Sequence, residues 1–208
     1  MAGKVFFSVT MSLDGYIAPA SPDDLMNEKW LKLQQWAFPL RALRERLKIG
    51  TGGEERRDND IVRETFERTG AHIMGKRMFD AGEHAWPEEA PFHTPVFVVT
   101  HQKRAPWERP GGTTFHFVND GIEAALALAR EAAGDRDVRI AGGGMTIVEY
   151  LNAGLVDEFS LAVSPMVYGA GIRLFEGVDA DRVELEPIRA EQSPRVTHLT
   201  YAVRKRQA

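Results

Sequence analysis

Val138-Arg-Ile-Ala-Gly-Gly-Gly-Met-Thr-Ile-Val-Glu-Tyr-Leu151 is the stretch on which the fold turns. Val138 and Ile140 form a short β-branched run that predicts a strand. Ile147, Val148 and Leu151, at helical spacing, predict a helix immediately after it. Gly142, Gly143 and Gly144 stand between the two. Each glycine loses more backbone entropy on folding than any other residue type. In return the triplet permits another molecule to approach the backbone beside the free N–H groups of a helix start, a geometry suited to phosphate. The triplet also reads as a plain connector with glycine chosen for positive φ; in isolation that reading prevails, and the strand–glycine–helix setting brings the two level.

Outward from this stretch, strand-like and helix-like segments alternate. Val5, Phe7, Val9 and Met11 alternate with Phe6, Ser8, Thr10 and Ser12, as a strand requires. His72–Gly75 and Pro95–Thr100 are short apolar runs of the kind buried in parallel sheets. Thr113–Phe117 and Val138–Ala141 continue the series. Between them Asp120 and Glu123 resemble a capping box opening a helix that buries Ile122, Ala125, Leu126 and Ala129. Asn152-Ala-Gly154 marks a helix end, with Gly154 as its left-handed residue. Phe159, Leu161 and Val163 predict another strand, and Val183–Ile188 and Val196–Val203 a closing hairpin around Glu191–Pro194. The fold class expected is α/β: a mostly parallel central sheet, helices on both faces and an antiparallel C-terminal hairpin.

The 208 residues fit one domain, 1–208, interrupted by an inserted helical and loop segment at about 25–60. Within it Trp30, Leu33, Trp36, Leu40, Leu43 and Leu47 fall roughly at helical spacing, broken by Pro39. The glycine-rich, charged run Ile49–Asp60 follows and reads as a mobile lid or as an ordinary surface insertion. The 26 Lys and Arg against 30 Asp and Glu give a net charge of −4, which argues against nucleic acid or anionic lipid as partner. There is no cysteine, so disulfides, thiolate metal sites and Cys nucleophiles are excluded. No apolar run has the length of a membrane span, and the chain opens directly on a strand pattern; a cytoplasmic protein is expected. The six histidines show no metal-ligand spacing, and no metal is expected.

Two further strand ends carry chemistry. In Ile73-Met-Gly-Lys-Arg-Met-Phe79 a buried strand reaches Gly75, and Lys76 and Arg77 occupy the first helical turn. Cations there oppose the helix dipole by roughly 0.3–1 kcal/mol each, and a bound anion reverses that sign. Two solvated cations after a strand are the plainer reading. Val98-Val-Thr-His-Gln-Lys-Arg104 adds the hydroxyl of Thr100, the imidazole of His101 and two more cations. Ligands of open α/β sheets bind beyond the carboxyl ends of strands. Three such ends point to one elongated, multiply phosphorylated ligand such as a dinucleotide.

Four motifs in this order resemble the dihydrofolate reductase-like superfamily, in the branch containing the reductase domain of the bifunctional riboflavin-biosynthesis deaminase-reductases. They are Ser12-Leu-Asp-Gly-Tyr-Ile-Ala18, Met74-Gly-Lys-Arg-Met-Phe79, Ile140-Ala-Gly-Gly-Gly-Met-Thr146, and Val156-Asp-Glu-Phe159 with Pro165–Phe175. The resemblance implies an NADPH-dependent reductase acting on a small polar heterocyclic or sugar-like substrate, similar to 5-amino-6-(5-phosphoribosylamino)uracil reductase. It places Gly75, Lys76, Arg77 and Met78 at the cofactor's phosphates and Thr100 and His101 near its adenosine end. Gly142 and Gly143 match a glycine pair joined by a cis peptide bond in dihydrofolate reductases, and Gly144, Met145 and Thr146 continue the pyrophosphate contact. Asp14 lines the active site in that branch, as substrate ligand or proton relay; Asp-Gly after a strand is also a turn signal. Trp36, Phe79 and Trp86 are candidates to sandwich a planar substrate, with core packing the alternative for each. Glu158 is a further candidate for the cleft. Family members commonly pair as homodimers, and a homodimer is expected. A nucleotide-binding sensor without turnover on the same scaffold is the alternative function.

Three departures bear on the substrate. The deaminase's zinc site needs cysteines this chain lacks. Ala141 stands where riboflavin-pathway reductases carry an acidic residue before the glycine pair. The carboxylate that dihydrofolate reductases project from their first helix has no clear register among Asp23, Asp24 and Glu28.

Overall fold

Alternating burial builds a nine-stranded sheet. In the computed structural model, which describes residues 3–205, the strands are β1 (Val5–Ser12), β2 (Tyr16–Ala18), β3 (Thr69–Gly75), β4 (Pro95–Val99), β5 (Trp107–Arg109), β6 (Thr113–Val118), β7 (Asp137–Gly142), β8 (Glu158–Ser164), β9 (Ile172–Arg173), β10 (Val183–Gln192) and β11 (Thr197–Lys205). The sheet order is β10-β11-β8-β1-β7-β3-β4-β6-β5, and β2 and β9 pair separately. The six strands from β8 to β6 run parallel. At one end β11 and β10 add the expected antiparallel hairpin; at the other β5 adds an antiparallel edge that periodicity did not reveal, because three residues are too few to show alternation.

The helices are α1 (Glu28–Gln34), α2 (Arg41–Leu47), α3 (Arg57–Arg68), α4 (Lys76–Glu83), α5 (Gly121–Ala133) and α6 (Gly144–Asn152). One face of the sheet carries the main core. Val5 and Phe7 of β1, Ile73 of β3 and Ile140 of β7 meet Leu126 of α5 and Ile147 of α6. The other face is covered by α1–α4, with Met74, Phe79, Val98 and Phe115 in one apolar cluster and Trp36, Leu40, Ala162 and Val196 in another. Helices thus cover both faces, as the pattern predicted. Gly154, at φ +66, follows α6 as its left-handed terminator. Asp120 precedes α5 but its side chain makes no cap bond, so the expected capping box is absent.

The inserted segment is more ordered than its composition implies. Pro39 separates α1 from α2, and Arg57–Asp60, expected within a loop, is the first turn of α3. Gly53, at φ +143, lets the connector pass so close to α2 that a Cβ would lie 2.7 Å from Arg41 N and Pro39 O. Glu54 then accepts two hydrogen bonds from Arg195, at 2.7 and 2.9 Å. Asp58 accepts from His198 Nε2 at 2.6 Å, both groups buried. The connector is therefore fastened to β11 and the turn before it. No described helix is long and apolar enough to cross a membrane.

Candidate functional site

The carboxyl ends of β3 and β7 bring two helix starts together. Gly75 is the N-cap of α4 and Gly143 that of α6, and neither helix start has a side-chain cap bond. Their first-turn N–H groups are thus left for another partner. A Cβ on Gly75 would lie 2.2 Å from Thr146 Oγ1 and 3.8 Å from Gly143 N, which measures how closely the two turns abut. A Cβ on Gly142, at φ +133, would lie 2.9 Å from Met78 Sδ. Gly143 differs: nothing lies within 4 Å of where its Cβ would be, so packing does not require glycine there. The Gly142–Gly143 peptide bond is cis.

These turns open onto a cavity of about 1400 Å³. Sites for a single small ligand typically span about 300–1,000 Å³, so this one has room for a cofactor and a substrate together. Lys76, Arg77, Met78, Met145 and Thr146 line its mouth beside the glycines. Lys76 Nζ meets Asp80 Oδ1 at 2.5 Å, and Arg77 donates to the carbonyl of Ala20. At the far side Thr100, His101 and Gln102 follow β4. The Thr100 turn is held by Gln102 N donating to its Oγ1 and by Asn119 Nδ2 donating to its carbonyl, both at 3.0 Å. All eleven residues expected at the cofactor thus line the one cavity, the Gly75–Met78 cluster lying between the other two because β3 stands between β7 and β4.

The inner part of the cavity runs beneath α1–α3. Trp36 lines it, but its indole is already engaged: Nε1 donates to Thr10 Oγ1 at 3.0 Å and the ring stands edge-on to His198. Trp86 also reaches the wall, with one face stacked on Phe115 at 5.2 Å and the opposite role of sandwiching a ligand confined to what that packing leaves. From α1 the wall receives Trp30 and Gln34, not a carboxylate; Gln34 Oε1 accepts from Thr10 Oγ1 at 2.8 Å.

Three expected site residues stand elsewhere. Phe79 is fully buried at the centre of an aromatic cluster with Trp86, Trp107, Phe115 and Phe117, and so serves as core. Glu158 opens β8 at the amino ends of the strands, the wrong end of the sheet, and accepts from Lys4 Nζ at 2.5 Å and Arg68 Nη1 at 2.7 Å. Asp14 is a turn residue: its carboxylate accepts from Ser12 Oγ at 2.6 Å, Tyr168 N at 2.8 Å and Gly169 N at 2.7 Å. Desolvation pushes that carboxyl up, but these hydrogen bonds outweigh it and lower it to about 2. A group held ionised in this way cannot donate a proton near neutral pH.

The interior also holds residues that sequence reasoning passed over: Ser8, Arg46, His72, Arg139 and Ser160. Arg139 and His72 left a trace in the sequence. Each is a polar residue within a run that a central parallel strand would fill with apolar side chains on both faces.

The comparisons agree with this geometry. Residues 3–199 match the model of the RibD C-terminal domain. The Bacillus subtilis protein YyaP is 36% identical over 72 residues, which cover 35% of this chain and only 37% of YyaP. A putative riboflavin biosynthesis protein from Shewanella sp. PV-4 superposes with a TM-score of 0.65 at 20% identity, over 97% of this chain and 99% of that one. Dihydrofolate reductase from Enterococcus faecalis, in complex with NADP(H) and RAB-propyl, gives a TM-score of 0.54 at 14% identity over 98% of each chain. With the motifs, the sheet order and the paired glycine turns all in place, the chain belongs to the RibD C-terminal domain family and has the dihydrofolate reductase-like fold.

Proposed function

We propose that the protein is an NADPH-dependent reductase that delivers hydride to a C=N or C=O bond of a small polar, heterocyclic or sugar-like substrate. The observation that carries this reading is the abutment of two uncapped helix starts, at Gly75 and Gly143, on one cavity large enough for two ligands. Membership of the RibD C-terminal domain family supports it, as does the NADP(H) held by the Enterococcus faecalis reductase of the same fold.

The residues present fit such a cofactor. The space beside Gly143 lets a pyrophosphate reach the first-turn N–H groups of α6, and Lys76 and Arg77 supply positive charge at the neighbouring turn. Nicotinamide supplies the hydride; the protein supplies placement, exclusion of water and access to a proton. With Asp14 fixed as a carboxylate, the proton comes from water held against the hydroxyl groups of the inner wall, Ser8 and Thr10 among them. Thr100 and His101 flank the adenosine end. The protein is placed in the cytoplasm, and as a homodimer formed through the outer hairpin, where Leu185 and Ile188 are 41% and 55% exposed.

The test is titration of the purified protein with NADPH and with NADH, read by tryptophan quenching and energy transfer to nicotinamide. NADPH binding at least tenfold tighter than NADH is expected. Absence of binding by either sinks the reductase reading; binding with no oxidation by any carbonyl or imine substrate leaves a nucleotide-binding protein. Light scattering at two concentrations checks the dimer.

A further inference from the structure

The strand residues that face α1–α3 do not form an apolar face. Alternation directs Val5, Phe7, Ile73 and Ile140 into the main core and leaves Ser8, His72, Arg139, Ser160 and Thr200 on the opposite side, lining the inner cavity. Parallel sheets covered by helices are ordinarily apolar on both faces. The departure is concentrated around Arg139, at the middle of the sheet, where β7 lies between β1 and β3.

Arg139 is deeply set and poorly paired. Its guanidinium donates one hydrogen bond, from Nη2 to the carbonyl of Ser8 at 3.1 Å, while its buried Nε has no partner. No carboxylate among the described residues forms an ion pair with it. Other basic side chains share the region instead, one of them a cation. Arg46, on α2, also lines the cavity, and its Nε and Nη2 donate to the carbonyls of Pro91 and Phe92. His72, opposite Arg139 in the β3–β7 register, holds its Nδ1 at 2.8 Å from Thr94 Oγ1. Burial and then the neighbouring Arg46 lower Arg139 to about 10; burial, Arg139 and Arg46 hold His72 well below the usual imidazole range. Among the described residues one carboxylate stands on the cavity wall, that of Glu149, and it belongs to α6, which packs on the other face of the sheet.

A guanidinium that faces a cavity with a buried, unused Nε donor and a like-charged neighbour in Arg46 is unfavourable unless an anion completes it. The protein does not provide that anion, and the cavity leads to Arg139 from the glycine turns. We propose that the inner end of the cavity is an oxyanion subsite anchored by Arg139, which receives a carboxylate or phosphate group of the substrate. Arg46 adds to the positive field. The substrate therefore enters acid end first, with its reducible bond toward Gly142–Gly144. This assignment rests on the reductase reading for the identity of the ligand as substrate, but the anion subsite is testable without turnover.

The experiment measures binding of sodium benzoate and, separately, inorganic phosphate by calorimetry at constant ionic strength, with sodium chloride as the control. It uses the full chain with and without saturating NADPH, so that phosphate at the cofactor's own subsites is displaced. Wild type is expected to bind at least one oxyanion, and Arg139→Met to bind it at least tenfold more weakly while its NADPH affinity stays within twofold. The anion that binds more tightly identifies carboxylate or phosphate as the group taken. The Arg139 Nε–H resonance, assigned in wild type, should shift on adding that anion, a readout that does not depend on the variant folding. No oxyanion binding beyond chloride, or equal binding by Arg139→Met with an unmoved resonance, overturns the subsite even where NADPH binds. Oxyanion binding through Arg139 without any NADPH binding keeps the subsite and removes the reductase reading.

Discussion

Asp14 shows how far one side chain's role depends on its partners. Ser12-Leu-Asp-Gly15 supports both a turn and an active-site carboxylate, and three donors on Asp14 decide for the turn. Its pKa is lowered to about 2, so its contribution to stability is complete above the ordinary carboxylate range and lost as pH falls toward 2. Asp14→Asn should leave the pH profile of turnover between pH 5 and 9 unchanged in shape, while lowering the thermal midpoint by loosening Tyr168 and Gly169. Loss of a kinetic ionisation in that range would restore Asp14 as an acid. Gly75 offers a sharper test, since a Cβ there meets Thr146 Oγ1 at 2.2 Å. Gly75→Ala is expected to cost about 1–3 kcal/mol, the range for overpacking. Adding Thr146→Ala should recover part of that loss in urea unfolding, because removing the hydroxyl leaves Thr146 Cβ at 3.5 Å.

The decisive element is the inserted segment. Its glycines and charges read as a mobile lid, yet Gly53 fits a close approach, Glu54 is gripped by Arg195, and Asp58 is buried against His198. All three fastenings join residues 53–58 to partners that are distant in sequence or set by α2 packing, which is why local composition did not reveal them. Asp58→Ala removes one partner of a buried pair and should destabilise the protein by about 3–5 kcal/mol in urea unfolding. Asp58→Asn, which can still accept a hydrogen bond, should lose less. Equal stability of Asp58→Ala and wild type would mean the insert is not held there.

For the whole molecule, acid sensitivity should fall in two windows. His72 is buried and held neutral by burial, then by Arg139 and Arg46; His93 shifts the same way, by burial and then by Arg46. The unfolded chain takes up these protons below about pH 6.5 and the native state does not, so stability falls as pH drops from there. The loss for His72 approaches about 1.4 kcal/mol per pH unit. Paired carboxylates such as Glu54 and Glu191, lowered chiefly by hydrogen bonds from Arg195 and Arg57, contribute only once pH falls below the ordinary Glu range. Urea midpoints at pH 7.5 and 5.5 should therefore differ for wild type and differ less for His72→Asn; a flat response in wild type would contradict the burial of a neutral imidazole.

Strand alternation, helical spacing around Gly142–Gly144 and the four ordered motifs determined the α/β fold, the covered sheet faces and the residues at the cavity mouth. Those features are local: a period of two, a period near 3.6 and a glycine turn are each written within about a dozen residues. Tertiary structure alone decided that Phe79 packs inward, that Glu158 sits at the amino ends of the strands, and that Asp14 is saturated by Tyr168 and Gly169. It also decided that Arg139, Arg46 and His72 share one interior in which no described carboxylate pairs with Arg139. Sequence periodicity says which side chains point the same way. Which charge lies across a cavity from them depends on strand order and helix crossing, and those are set by the packing of the entire chain.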